Sequence, residues 1–205
     1  MNSRVSDDRK KRMSIVTINP SRSELRARLL AVRAQLPAAK RADLQTQLTA
    51  QLRQLMQAQI PAGACVAMYM PIRHEPDVTQ LFEFLRAHNC TVVLPVVIAP
   101  NAPLVFAPFE GMDALQKGAY GVLEPTSAPI NTAPDWLIAP CVGFNPQRYR
   151  LGYGGGYYDR TLEQWREQGH VVRTVGVAYE MFLCEFAAHA HDVALDVVVT
   201  EQGVF

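Results

Sequence analysis

The sequence predicts an α/β fold, a three-layer α/β/α single domain with a mostly parallel sheet. Three observations lead there. Short apolar runs at residues 64–69 and 90–97 flank a segment in which Leu81, Phe82 and Leu85 recur at helical spacing, and strand, helix, strand is the order that joins parallel neighbours. The run at 64–69 is continuously apolar instead of alternating, as in a strand covered on both faces. A chain of 205 residues, 49% hydrophobic and 19% charged, has the size and balance of one domain with a sizeable core.

Taken in order, Pro20 and Ser21 mark a helix start, after which Leu25, Leu29, Val32 and Leu36 form an apolar stripe expected to face the core. Arg22 and Arg26, four apart, project along one edge of that stripe, towards solvent or towards an anion. Pro37 ends this helix, and a second carries Leu44, Leu48, Leu52 and Leu55 on one face. Pro61-Ala62-Gly63 breaks it before the strand at 64–69. The loop from Met70 to Glu75 then sits at that strand's carboxyl end, where open α/β sheets bind ligands. Glu75 is either a surface carboxylate or a ligand contact. The prolines between 95 and 134 leave room only for short strands, 104–107 being the clearest, and Lys117-Gly118 suits a turn. Residues 136–138, 171–179 and 195–200 read as further strands, with a helix opening at Tyr157 between the first two.

Composition narrows the function. No stretch approaches the roughly 18 to 20 apolar residues of a membrane helix. Cys65, Cys90, Cys141 and Cys184 are scattered without CxxC pairing, as expected of buried free thiols in a reducing cytoplasm. The net charge of +1 conceals a basic amino-terminal quarter, whose densest cluster is Arg9-Lys10-Lys11-Arg12. Residues 1–18 lack apolar periodicity and a secretory core, so a disordered extension is expected there, with 19–205 as the domain. A nucleic-acid-binding arm is the competing reading.

The stretch with most chemical content is Arg150-Leu151-Gly152-Tyr153-Gly154-Gly155-Gly156-Tyr157-Tyr158-Asp159-Arg160. Four of the twelve glycines lie at 152–156, where a backbone without Cβ atoms lets a phosphate approach its amides. A helix opening from the glycines adds unpaired amides and a positive dipole end, and Arg150 adds a planar cation. A surface loop is the alternative. Neither the P-loop signature nor GxGxxG is met, since Tyr157 stands in the third glycine's place. Asp159, Asp192 and Asp196 form a candidate magnesium set, helix caps or turns being the alternative. His189 and His191 lack the partners that complete a zinc tetrahedron.

This stretch resembles the signature of the 5-formyltetrahydrofolate cyclo-ligases, also called methenyltetrahydrofolate synthetases. Asp135-Trp136-Leu137-Ile138-Ala139-Pro140 with Gly143-Phe144, and Gly121-Val122-Leu123-Glu124-Pro125, are similar to two further family segments, so the resemblance spans about residues 21–201. It implies ATP-dependent cyclisation of 5-formyltetrahydrofolate to 5,10-methenyltetrahydrofolate, releasing ADP and phosphate through a phosphorylated formyl intermediate. It implies ATP contacts from Arg22, Arg26 and Arg150 through Tyr158, that is Leu151, Gly152, Tyr153, Gly154, Gly155, Gly156 and Tyr157 as well. It further implies catalytic roles for Arg150 and Tyr158, folate contacts from Met70, Glu75 and Tyr158, and Mg2+ on Asp159 and Asp196. The substrate is free or polyglutamylated, and a cytoplasmic monomer is expected, with no nucleic acid or membrane partner. Arg22 takes a place often filled by lysine, Arg148 one commonly held by a turn glycine, and Asn145 one commonly held by aspartate. A non-catalytic nucleotide- or folate-binding protein is the rival reading.

Overall fold

Helix α1, Arg22–Ala34, starts where its capping chemistry places it. The Ser21 hydroxyl accepts from the Glu24 N–H at 3.2 Å, and the Glu24 carboxylate accepts from the Ser21 N–H at 2.8 Å, the reciprocal pattern of a capping box. The computed structural model describes residues 20–205, so the expected extension at 1–18 lies outside the described residues. Leu25, Leu29 and Leu36 are buried as expected, but Val32 is 37% exposed and Arg33 is 1% exposed. The burial line steps by four from Leu25 to Leu29 to Arg33, because the Arg33 head group finds carbonyl partners beyond the carboxyl ends of the central strands.

Helix α2, Ala38–Gln59, buries Leu44, Leu48, Leu52, Leu55 and Met56. Leu48 and Leu52 are wholly buried, and each such leucine contributes about 1.5 to 3 kcal/mol relative to exposure. The chain continues through β1 (Cys65–Ala67), α3 (Gln80–Ala87), β2 (Thr91–Val96), β3 (Val105–Pro108), β4 (Leu115–Lys117), β5 (Leu123–Pro125) and β6 (Trp136–Pro140). It then passes through β7 (Gly143–Phe144), β8 (Arg150–Leu151), α4 (Tyr157–Glu167), β9 (Arg173–Val177) and β10 (Val197–Val199).

Six strands form the central sheet in the order β10-β9-β6-β1-β2-β3. All neighbours run parallel except β3, which turns back antiparallel onto β2. Period-two alternation sorts the side chains onto two faces. Val66, Ile138, Val175, Val177 and Val199 pack with the leucines of α1 and α2 and with Phe82 and Leu85 of α3. Ala67, Leu137, Ala139 and Val198 pack on the other face with Leu162 and Trp165 of α4. The result is the three-layer α/β/α arrangement with a mostly parallel sheet. Strands β4 and β5 form a separate hairpin, as do β7 and β8. Among the described residues all four cysteines are free thiols, and no helix is long and apolar enough to cross a membrane.

Candidate active site

The glycine loop leaves β8 and runs directly into α4. Gly154 has φ +95° and Gly156 has φ +66°, conformations that side-chain-bearing residues rarely adopt. Gly156 is also the N-cap of α4, and no side chain caps the helix. Its first-turn amides and positive dipole end therefore remain available to an anion. Three arginines surround the loop. Arg26 donates to the Gly152 carbonyl at 2.6 Å, and Arg160 donates to the Gly155 carbonyl at 2.5 Å. Arg150 is buried, donates to Asp159 at 3.0 Å, and lies 4.9 Å from the centroid of the Tyr158 ring.

The loop after β1 supplies the other half of the site. Arg73 and His74 take left-handed backbone conformations, with φ 46° and 61°, and turn the chain so that Glu75 points inward. Glu75 is 6% exposed. Its Oε2 accepts from the Ile72 N–H at 2.9 Å, while Oε1 is buried without a partner. Burial raises the Glu75 pKa, and the Ile72 amide, the Tyr153 hydroxyl, Arg33 and Arg150 pull it part of the way back. The Tyr153 hydroxyl is close enough for that influence yet falls short of completing a hydrogen bond to Oε1. Burial likewise raises the Tyr158 pKa, the Glu75 charge adding to it and Arg150 opposing it, so the phenol stays protonated at neutral pH. Met70 is buried in the core cluster at the start of the same loop. A cleft of about 390 Å³ opens beside Glu75, lined also by Arg41, Gln45, Arg73, His74 and Tyr179.

The structure thus brings Glu75, Arg150, Tyr153, Tyr158, Asp159 and Arg26 into one region at the carboxyl ends of β1 and β6. Arg22 is held at its rim, paired with Asp192 and lying 5.2 Å from the centroid of the Phe186 ring. The three aspartates are not brought together. Asp196 precedes β10 at the amino end of the sheet, where its Oδ2 accepts from the Thr174 N–H at 2.7 Å and the Thr174 hydroxyl at 2.8 Å. Asp159 lies beside the glycine loop, and Asp192 is taken by Arg22. Among the described residues no group of three His, Cys, Asp or Glu side chains has metal-binding geometry, so the expectation of Asp196 as a partner of Asp159 does not fit this arrangement. Asp159 alone fits a magnesium ion carried in with phosphates, which needs only one or two protein carboxylates.

At the loop entrance Arg148 takes φ 63°, so the turn survives without its glycine. Asn145 replaces aspartate in kind, its Oδ1 accepting from the amides of Gln147 and Tyr149 at 3.1 and 2.9 Å. Two site residues escaped the sequence reading. Tyr120, at φ 59° in the β4–β5 hairpin, meets the Tyr157 hydroxyl at 2.7 Å. Arg33 donates to the Tyr153 hydroxyl; its place four residues after Leu29, in line with the stripe, was the signal available.

The chain is similar in sequence and in fold to known proteins. The 5-formyltetrahydrofolate cyclo-ligase family profile matches residues 18–201. The 5-formyltetrahydrofolate cyclo-ligase of Mycoplasma pneumoniae is 30% identical over 182 residues, covering 88% of this chain and 99% of its own length. The Escherichia coli cyclo-ligase is 33% identical over 146 residues, 68% of this chain and 79% of its own. The solved structure of a 5,10-methenyltetrahydrofolate synthetase from Mycoplasma pneumoniae superposes with a TM-score of 0.74 at 28% identity, covering 89% of this chain and 99% of that one. The NMR structure of the Aquifex aeolicus 5,10-methenyltetrahydrofolate synthetase gives a TM-score of 0.74 at 32% identity, covering 89% and 91%.

Proposed function

This chain belongs to the 5-formyltetrahydrofolate cyclo-ligase family, and we propose that it is an ATP-dependent ligase converting 5-formyltetrahydrofolate to 5,10-methenyltetrahydrofolate. The observation that carries this reading is the pairing of an uncapped, glycine-lined helix terminus with a buried carboxylate oxygen that lacks a partner. One end suits phosphates and the other suits a ring bearing N–H donors, which is what a pterin presents.

The formyl oxygen is a poor leaving group, and ATP removes that obstacle. The oxygen attacks the γ-phosphorus, ADP leaves, and the phosphorylated formyl carbon is then open to attack by the N10 amine. Loss of the N10 proton and departure of phosphate complete the ring. The loop amides, Arg26 and Arg22 bind the triphosphate, while Arg150 neutralises charge on the phosphoryl group in flight, a task of positioning and electrostatics. Arg150 is held for this by Asp159 and by the Tyr158 ring. Tyr158, kept protonated, donates a hydrogen bond towards the formyl and phosphoryl oxygens. Glu75 accepts from the pterin, with Met70 against the ring. Asp159 would help hold a magnesium ion arriving with the nucleotide, which would supply further charge neutralisation.

The free thiols support a cytoplasmic setting, where the enzyme acts as a monomer on free or polyglutamylated substrate. The test is the near-ultraviolet absorption of the methenyl product. It is expected to grow only with ATP and magnesium both present. Tight binding of either ligand without product would make the chain a non-catalytic binding protein.

A further inference from the structure

Arg33 has no part in the scheme above, yet it is among the largest fully buried side chains of the molecule. Its guanidinium donates to the Arg73 carbonyl at 3.1 Å, to the Cys141 carbonyl at 3.5 Å and to the Tyr153 hydroxyl. Those partners belong to the loop that carries Glu75, the segment just after β6, and the glycine loop. Among the described residues no carboxylate forms an ion pair with it. Burying such a charge is costly unless its hydrogen bonds are made. Ordinary packing at this helix position calls for an apolar side chain, like the buried Leu29 one turn earlier.

The chemistry of the contact sets a direction. A guanidinium only donates, so the Tyr153 oxygen accepts from Arg33 and its own proton is turned away from Arg33. The same guanidinium also holds the Arg73 carbonyl, two residues before Glu75, and Arg33 and the Tyr153 hydroxyl both lower the Glu75 pKa. The Tyr153 ring is fixed in turn by the guanidiniums of Arg33 and Arg73, whose carbons lie 5.7 and 5.4 Å from its centroid.

We propose that Arg33 is a positioning residue for folate recognition: it ties the turn that carries Glu75 to Tyr153 of the glycine loop and so holds the Glu75 carboxylate in place as an acceptor for the pterin. This rests on the reading of Glu75 as the pterin contact. The groups facing Glu75 are Arg33 from α1, Tyr69 beyond β1, Cys141 beyond β6, Arg150 from β8, Tyr153 from the glycine loop and Tyr158 from α4. Arg41, Arg73, His74 and Asp77 line the adjoining cleft. Arg33, Arg150 and Tyr153 lower the Glu75 pKa, so loss of Arg33 leaves the carboxyl easier to protonate.

The experiment is calorimetric binding of 5-formyltetrahydrofolate to the full chain across a pH series, with ATP binding and thermal melting measured alongside. Wild type is compared with R33M, R33K, Y153F and E75Q. R33M is expected to weaken folate binding by about tenfold, the worth of one charge-assisted hydrogen bond, and to move its acid limb to higher pH while ATP affinity stays unchanged. Y153F is expected to move the limb the same way, R33K to restore part of the loss, and E75Q to abolish the limb. A folded R33M with wild-type folate affinity and an unmoved acid limb overturns the proposal. So does equal weakening of folate and ATP. If R33M does not fold, an unmoved limb in Y153F overturns it. If E75Q leaves folate binding unaltered, the reading of Glu75 fails first and takes the proposal with it, whereas a weakened E75Q with unaltered R33M isolates the failure to Arg33.

Discussion

Replacing Gly154 and Gly156 together by alanine tests whether the loop binds ATP through its backbone. At Gly156, φ +66°, a side-chain-bearing residue in the left-handed region costs about 1 to 2 kcal/mol. Gly154, at φ +95°, lies beyond the usual left-handed well and costs at least as much. A Cβ at 156 would stand 2.7 Å from an Arg160 terminal nitrogen, and one at 154 would stand 3.2 Å from Arg26 Cζ, so both arginines must shift. If the loop keeps its shape the variant loses about 2 to 4 kcal/mol, within the 5 to 15 kcal/mol of a typical domain. If instead it relaxes, the amides turn away from the phosphates. Two lost charge-assisted hydrogen bonds at about 1.5 kcal/mol or more each weaken ATP binding by about a hundredfold or more. Calorimetry with ATP, beside a thermal melt showing a folded protein, gives the result. Wild-type nucleotide affinity in the folded double variant would remove the loop backbone from the site.

Other perturbations separate charge from packing. D159N is expected to lower turnover and weaken its response to magnesium, whereas D196N is expected to keep that response and lose about 1 kcal/mol of stability through weaker bonding to Thr174; magnesium titration of initial rates with urea unfolding checks both, and a blunted metal response in D196N would reverse the assignment. Burial raises the Glu124 carboxyl pKa, and the Val97 amide, which donates to its Oε1 at 3.2 Å, only partly offsets this. A carboxyl raised in the folded state contributes stability below the ordinary carboxylate range that is lost as pH rises through the raised pKa. E124Q keeps the acceptor oxygen and removes the charge, so its stability relative to wild type is expected to increase between about pH 4 and pH 7. A difference that stays constant over that interval contradicts the assignment.

Much of this arrangement was written in patterns that local physics reads well. The leucines of α2, the apolar run containing β1 and the strand-helix-strand alternation gave the layers because one periodicity dominates each segment. The glycine loop and the helix leaving it were legible as elements because four glycines at 152–156 break any regular pattern and a helical one begins at Tyr157. Arg33 was not, because Val32 and Arg33 lie three and four residues from Leu29 and hydropathy favours the valine. The choice depends on carbonyls at Arg73 and Cys141, brought close only by folding. Asp196 misled for a similar reason. Proximity in sequence to the last strand does not say which end of the sheet an aspartate occupies, and the parallel register of β10 on β9 puts it away from the loop. The β4–β5 hairpin stayed hidden because its strands are three residues each and β5 ends on Pro125.

The bonds from Arg26 to the Gly152 carbonyl and from Arg160 to the Gly155 carbonyl bear on which anions the site admits. Each guanidinium already spends one donor on a neutral carbonyl, so a small, strongly hydrated anion that takes that donor must shed its own water merely to exchange one contact for another. A polyphosphate offers several oxygens at once, and it can draw both guanidiniums off the loop in a single event. The resting loop therefore acts as a threshold: small ions meet donors that are already in use, and a multidentate guest gains more by rearranging them.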